Sequence, residues 1–449
     1  MADSARRRSS RLLYINGQLV GIWRKNCTGE DLQYAYSWVS SLGGRPLSLC
    51  LPFTPDNSPL TGSCVHAYFS NLLPENPKEL AALVRRCGAA ACSPFDLLAY
   101  NGNDGYGALQ IASSVADAAD PKEQPSTPLE EADVAALLRL NAPGDSNLPG
   151  LEATDGYRLS KWRSEEQVAL LFRDGGWHKP QGNTPSSHIL KPQMALRNEM
   201  TSHMCVAIEN EWLCTEVLRA YGIPVAPCQL LMFEEQRALA VERTDRHWVN
   251  DPFAGHWLAR RPQEDMCQAL GITPALKYEE DGGPRMSSIF SILSGSLTPT
   301  DDRRTFFKAQ ILFWLLCATD EHAKNFNITI LAGGRYQLAP LSGVVSAYPL
   351  MGRGLHQLQP QRARLAMAVH GRKPHWRVRD ITYEHWVDLG RRQGIQSPSG
   401  GDCEEVVAEL VGKTAQIIEL IQERLPAGFP DTVSAPILEG LRKAAERLQ

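Results

Sequence analysis

Thr319-Asp320-Glu321-His322-Ala323-Lys324-Asn325-Phe326 is the stretch on which the fold of this chain turns. It closes the apolar run that starts at Ile311, and it leads into Phe326-Asn-Ile-Thr-Ile-Leu331, Gly333-Gly334 and Arg335-Tyr-Gln-Leu338. Those segments read as two strands joined by a glycine turn. By itself the octet is a helix end running into a hairpin. Its polar spacing adds chemistry: phosphoryl transfer needs a carboxylate to accept a hydroxyl proton and, a few residues on, an amide oxygen to hold magnesium. Asp320 and Asn325 stand at that spacing.

Outward from the loop, the pattern divides into lobes. Helical periodicity marks Arg303 to Ala318 before it, and Tyr383 to Gln393 and Cys403 to Leu425 after it. Upstream, Gln167 to Phe172, His188 to Lys191, Gln229 to Phe233 and Ala238 to Val241 read as strands, with one amphipathic helix, Thr201 to Tyr221, stopping at Gly222-Ile-Pro224. The expected fold class is α+β: a small β-rich lobe at 157–244, then a helical lobe at 245–449 in which helices take over, the layout of a protein-kinase fold. Before these, Leu12 to Ile15 and Leu19 to Trp23 flank Asn16-Gly17, a strong hairpin signal. They open a mixed α/β subdomain at 1–111 that includes a strand-like Pro46 to Pro52 and a helix-like Val65 to Leu73. The Asp-, Ala-, Pro- and Ser-rich segment 112–156, broken by a short helix at Leu129 to Leu140, reads as a linker.

Composition narrows the function classes. With 449 residues, 43% hydrophobic and 21% charged, the chain is too long and apolar for a disordered tail or a disulfide-stapled mini-protein. The 46 Lys+Arg against 50 Asp+Glu give a net charge of −4, so no global basic field holds it on nucleic acid. The 11 cysteines form no C-x-x-C pair and are odd in number, which predicts thiols in a reducing, cytoplasmic compartment. Cys64-Val-His66 and Cys87 to Cys92 lack zinc spacing. The apolar stretch Leu12 to Ile15 is too short for a signal peptide, and the longest apolar run, Ile311 to Thr319, falls short of the roughly 20 residues of a bilayer span.

The octet has the D-x-H-x-x-N form of atypical kinases, and a set of motifs in order along the chain resembles one family. Asn71-Leu-Leu-Pro74, Ser93-Pro-Phe-Asp-Leu-Leu98, Gly107, Thr184-Pro185, His188-Ile-Leu-Lys191, Asn210-Glu211, Ala240-Val-Glu-Arg243, Arg261 to Gln268, Lys277-Tyr278 and Asp281-Gly-Gly-Pro284 all look like HipA, the serine/threonine kinase toxin family of bacterial toxin–antitoxin modules. The resemblance implies ATP and Mg2+ use, growth arrest through phosphorylation of an aminoacyl-tRNA synthetase, and a HipB-like helix-turn-helix antitoxin that carries the kinase onto operator DNA. Residue by residue, it implies that Lys191 reaches the nucleotide phosphates, and that Glu242, Arg243 and Thr244 form the hinge that binds adenine. Asp320 is then the base, His322 an orienting or phosphate-side group, and Asn325 a metal ligand. Glu211 is either the partner of Lys191 or a cap or surface pair.

Two departures from the family pattern stand against these matches. The second magnesium aspartate, in a pattern like P-F-Y-D-I-I-S-A, is replaced in Pro340-Leu-Ser-Gly-Val-Val-Ser-Ala347 by Gly343, which offers no carboxylate. The phosphate loop, S-V-A-G-A-Q-E-K in the family, is Ser160-Lys-Trp-Arg-Ser-Glu-Glu-Gln167, where bulky and acidic residues replace the small ones that let backbone N–H groups approach phosphate. Ser160 aligns with the family's autophosphorylated serine. The alternatives are a pseudokinase acting as a binding or regulatory module for antitoxin, synthetase or operator DNA; rewired catalysis, with Glu321 supplying the missing carboxylate and Lys161 or Arg163 the lost positive charge; and ATP binding without turnover. A basic stretch from Arg353 to Arg379 has no acid before Asp380, and by the resemblance Arg362, Arg364, Arg372 and Lys373 face operator DNA; otherwise they form a solvated basic face. His178 is expected between strands, and the acidic cluster Glu279-Glu280-Asp281 as a turn.

Overall fold

The computed structural model describes residues 9–27, 29–75, 80–81, 83–85, 93–98, 104–114, 120–141, 167–193, 207–252, 255–354 and 357–449. Strands β1 (Ser9–Ile15) and β2 (Gln18–Asn26) meet at Asn16-Gly17, whose φ values of 45° and 78° are those of a type I′ turn. With β3 (Gly29–Tyr34), β4 (Leu60–Thr61) and β5 (Leu109–Ala112) they form a five-stranded sheet in the order β4-β3-β2-β1-β5. Helix α1 (Ser63–Ser70) covers one face, where the Trp23 indole stacks on Phe69 at 3.6 Å and meets Phe95 edge-on.

Pro46 to Pro52 is not a strand. The prolines at its ends cannot donate to a ladder, and the segment is pinned instead by side chains. The Leu47 N–H donates to the Tyr34 hydroxyl at 2.9 Å, and the Leu49 N–H to the buried Glu264 carboxylate at 2.9 Å.

Strand β6 (Ser126–Leu129) and the expected short helix, α2 (Glu131–Asn141), lie in the segment expected to be a linker, yet β6 is the edge strand of the second sheet and α2 packs on that sheet. That sheet also holds β7 (Val168–Arg173), β8 (Gly176–Pro180), β9 (His188–Pro192), β10 (Cys228–Phe233) and β11 (Gln236–Glu242), in the order β10-β11-β9-β7-β8-β6. Val134, Ala135, Leu137 and Leu138 of α2 bury one face against Val168, Leu170, Leu190, Ala238 and Ala240. This helical spacing of apolar residues needs an apolar surface to cover, which the composition of the segment masks. His178, expected between strands, is within β8. Helix α3 (Ala207–Ala220) covers the opposite face of the sheet, packing Ile208 on Leu239 and Val241.

Strands persist past residue 245. The hairpin β12 (Arg246–Asp251) and β13 (Gly255–Arg260) and the three-stranded sheet of β14 (Gln263–Asp265), β15 (Asn327–Ile330) and β16 (Tyr336–Leu338) precede or interrupt the helices. Helices α4 (Met286–Leu293), α5 (Pro299–Leu315), α6 (Tyr383–Arg392), α7 (Cys403–Arg424) and α8 (Asp431–Glu446) build the main core. A hairpin of β17 (Arg364–His370) and β18 (Pro374–Arg377) sits beside it. Among the described residues no helix is long and apolar enough to cross a membrane, no group of three metal-ligating side chains gathers, and the cysteines are free thiols.

Candidate active site

Side chains alternate along β9. Leu190 faces α2, so Lys191 faces α3, opposite Leu239 of β11. There the Lys191 ammonium donates to both oxygens of Glu211, at 2.8 and 2.6 Å, with both residues buried. Glu211 is therefore the ion-pair partner of Lys191. Asn210, the preceding residue, ties α3 to the segment around Gly343: its amide donates to the Ser346 carbonyl and accepts from the Ser346 N–H, each at 2.8 Å.

Helix α5 stops at a turn in which Cys317 takes a positive φ of 50°, and the chain enters the loop quoted at the start. Phe326, fully buried between Phe306 and Phe313, anchors the far end of the loop, and its carbonyl accepts from the Met266 N–H. The Asn325 amide donates to the Asp320 carbonyl at 2.8 Å and to Glu321 at 3.0 Å, which leaves its oxygen for another partner. Glu321 is buried beside it. His322 is also buried and meets the Tyr278 ring edge-on at 4.9 Å, while the Tyr278 hydroxyl donates to Asp320 at 2.6 Å. Lys324 bonds Asn71 and Asp265, holding the loop to the N-terminal subdomain. Burial pulls its ammonium down, but Asp265, Cys267 and Glu75 outweigh that and the net shift is upward.

Glu242, Arg243 and Thr244 line a cleft together with Lys191, Ala226 and Ser342. Two of their backbone donors are already committed: Glu242 N–H to the Pro227 carbonyl at 2.8 Å and Arg243 N–H to the Ser187 carbonyl at 2.9 Å. The Arg243 side chain is turned into the protein interior, so only its backbone is available to the cleft. Its guanidinium is buried against Asp245 at 2.7 Å, the Gly105 carbonyl at 2.8 Å and Asp104 at 3.4 Å, in a cluster shared with Arg246. The cause is electrostatic: a buried charge needs paired charges, and both aspartates lie inside the fold. Burial raises the Asp245 carboxyl, yet Arg243 and Arg246 overcome this and hold it below its ordinary value.

Gly343 has a φ of 74°, in the left-handed region. Ser160 and residues 161–166 lie outside the described residues. Gln167 at their end is 3% exposed, and neither of its amide atoms has a hydrogen-bond partner among the described residues. The basic stretch is less uniform than its sequence. Arg364 pairs with Glu280 at 3.1 Å and lies over Trp376, and Glu279 holds the Ala368 N–H and His370. Arg362 lines a surface depression with Arg353, Arg377 and Arg379. Arg372 and Lys373 are exposed at the β17–β18 turn. The acidic cluster is thus more than a turn: it neutralises part of the patch. Tyr278 was visible only as a motif neighbour of Lys277, and nothing in its spacing announced its contact with Asp320.

Comparison with known proteins agrees with this architecture. The HipA N-terminal domain matches residues 12–112 and the HipA-like C-terminal domain residues 161–418. The chain is 29% identical over 417 residues to the putative kinase Y4mE of Sinorhizobium fredii, covering 91% of this chain and 90% of that protein. It is 26% identical over 336 residues to the serine/threonine-protein kinase toxin HipA of Shewanella oneidensis, covering 72% of each. A solved structure of the Shewanella oneidensis HipA, HipB and operator DNA complex superposes with a TM-score of 0.76 at 22% identity, over 98% of this chain and 97% of that one, and shares the fold. With more than half of its length matched by the C-terminal domain and the subdomain before it matched in turn, the chain belongs to the HipA family.

Proposed function

We propose that this protein is a HipA-type toxin that transfers phosphate from ATP to a serine or threonine of a translation factor such as an aminoacyl-tRNA synthetase. The observation that carries the reading is the buried Lys191–Glu211 pair, whose lysine lines a cleft with Glu242 and Thr244. A lysine fixed in this way is a preset charge for nucleotide phosphates. Asp320 would take the acceptor's proton, with the Asp320 carbonyl held by Asn325. Adenine would be met through backbone carbonyls and apolar contact, since the Glu242 and Arg243 N–H groups are occupied.

The donor set suits one Mg2+ ion. The Asn325 amide oxygen and the Glu321 carboxylate are hard oxygen ligands on neighbouring side chains, and Gly343 contributes none. When bound, the ion neutralises charge on the phosphates; Glu321 and Asn325 are the residues that would hold it. By family, a HipB-like antitoxin and, through it, operator DNA are the proposed partners, with Arg362, Arg372 and Lys373 as candidate phosphate contacts.

Gly343 favours a second reading: a kinase-fold module that binds antitoxin or synthetase without phosphoryl transfer. Labelled ATP and magnesium, given to the protein beside an Asp320→Asn variant, separate the two. Label on the parent or on added synthetases that vanishes in the variant supports transfer; absence of label together with absence of calorimetric ATP binding removes it. Expression without an antitoxin adds a cellular check, because growth arrest that survives Asp320→Asn is not phosphoryl transfer.

A further inference from the structure

We propose that Tyr278 is an autophosphorylation site, modified within the same chain by the loop that contains Asp320. The inference rests on the kinase reading above and extends it to an acceptor. The Tyr278 hydroxyl donates to the Asp320 carboxylate at 2.6 Å, which is where an acceptor hydroxyl must stand for that carboxylate to take its proton.

The phenol is held there from several sides. Its ring meets His322 edge-on at 4.9 Å, and the Lys277 ammonium lies 5.2 Å from its centroid. Its backbone is fixed as well: the Tyr278 carbonyl accepts from Gly283 N–H at 2.9 Å and from Asp281 N–H at 3.2 Å, closing a loop in which Gly282 has a φ of 92°. The neighbouring Glu279 is buried and bonded to the Ala368 N–H and to His370. A Cβ on Gly283 would come within 2.0 Å of the Leu276 carbonyl, so the loop closes only with glycine at that position. Holding a nucleophile beside its base is the proximity that makes an intramolecular transfer fast.

The step balances. A lone pair of the Tyr278 oxygen forms a bond to the γ-phosphorus of bound ATP as the bond from that phosphorus to the β–γ bridging oxygen breaks. ADP leaves with that electron pair, and the phenolic proton passes to Asp320. The product is phosphotyrosine at 278 and a protonated Asp320, which releases the proton to solvent. Until then Tyr278 occupies the acceptor position, so an external serine or threonine has to displace it.

The test incubates full-length protein with labelled ATP and magnesium, with casein as an added acceptor, and maps phosphate by mass spectrometry in the parent, Tyr278→Phe and Asp320→Asn. The expected result is phosphate on Tyr278 of the parent, appearing at a fractional rate independent of protein concentration. It is lost in both variants, whose folding is checked by circular dichroism. Phosphate on serines, threonines or casein with none on Tyr278 overturns the proposal and leaves the kinase reading standing. A rate that rises in proportion to protein concentration overturns the intramolecular step. Absence of phosphate from every residue and from casein overturns both.

Discussion

Lys191 on β9 and Glu211 on α3, 20 residues apart in the chain, form a two-point ion pair inside the small lobe, with side chains only 10% and 9% exposed. Removing one partner strands the other charge in a poorly solvated place, which costs about 3–5 kcal/mol. Lys191→Met and Glu211→Leu should each lower the urea midpoint sharply. The double variant should recover most of the loss, while ATP binding by calorimetry stays absent wherever Lys191 is missing.

Gly343 adopts a left-handed backbone, which aspartate tolerates better than most residues at a cost of about 1 kcal/mol. Gly343→Asp should therefore fold and should lower the magnesium concentration needed for half-maximal ATP turnover. Glu321→Gln should raise that concentration in the parent and matter less in the Gly343→Asp background. Turnover against magnesium in the four combinations reads the coupling directly.

Glu264 gives a pH dependence with a definite sign. Burial pushes its carboxyl up from 4.5 to about 8, against the hydrogen bonds from Ser48 and the Leu49 N–H. The folded state thus holds a proton that the unfolded chain releases, so the stabilising contribution is full below about pH 4.5 and is lost as pH rises towards about 8. Glu264→Gln should flatten this slope and shift the denaturation midpoint of the variant above that of the parent at pH 8. The gain should be small at pH 5.

Asp104 joins the N-terminal subdomain to Arg243 and Arg246 after β11. It faces Arg246 at 3.0 Å, Arg243 at 3.4 Å and Arg260 at 3.9 Å, all with side chains about 1% exposed. Asp104→Asn leaves Arg243 and Arg246 with Asp245 and should destabilise by about 3–5 kcal/mol, with little relief from salt at this depth. Glu446→Gln, which removes an exposed pair with Arg442, should leave the thermal midpoint unchanged.

Much of the scaffold was legible because its causes are local. Asn16-Gly17 specified its hairpin through φ, α5 and α7 announced themselves through apolar periodicity, and the loop from Asp320 to Phe326 carried its spacing in eight consecutive residues. The failures were local rules overruled by distant surfaces. Pro46 to Pro52 has strand-like residues but lies against Tyr34 and Glu264, and the polar composition at 112–156 hid a strand that completes a sheet and the apolar surface its expected helix covers.

The sequence by itself determined the family, the order of the lobes, the glycine at 343 and the identity of the groups around Asp320 and Asn325. Tertiary structure alone decided which charges meet. It paired Glu211 with Lys191, withdrew Arg243 into a cluster with Asp104, set Glu280 against Arg364, and brought Tyr278 to Asp320 across 42 residues. Spacing fixes backbone geometry over a few residues, whereas a buried charge must find a partner wherever packing delivers one, and that partner has no fixed distance along the chain.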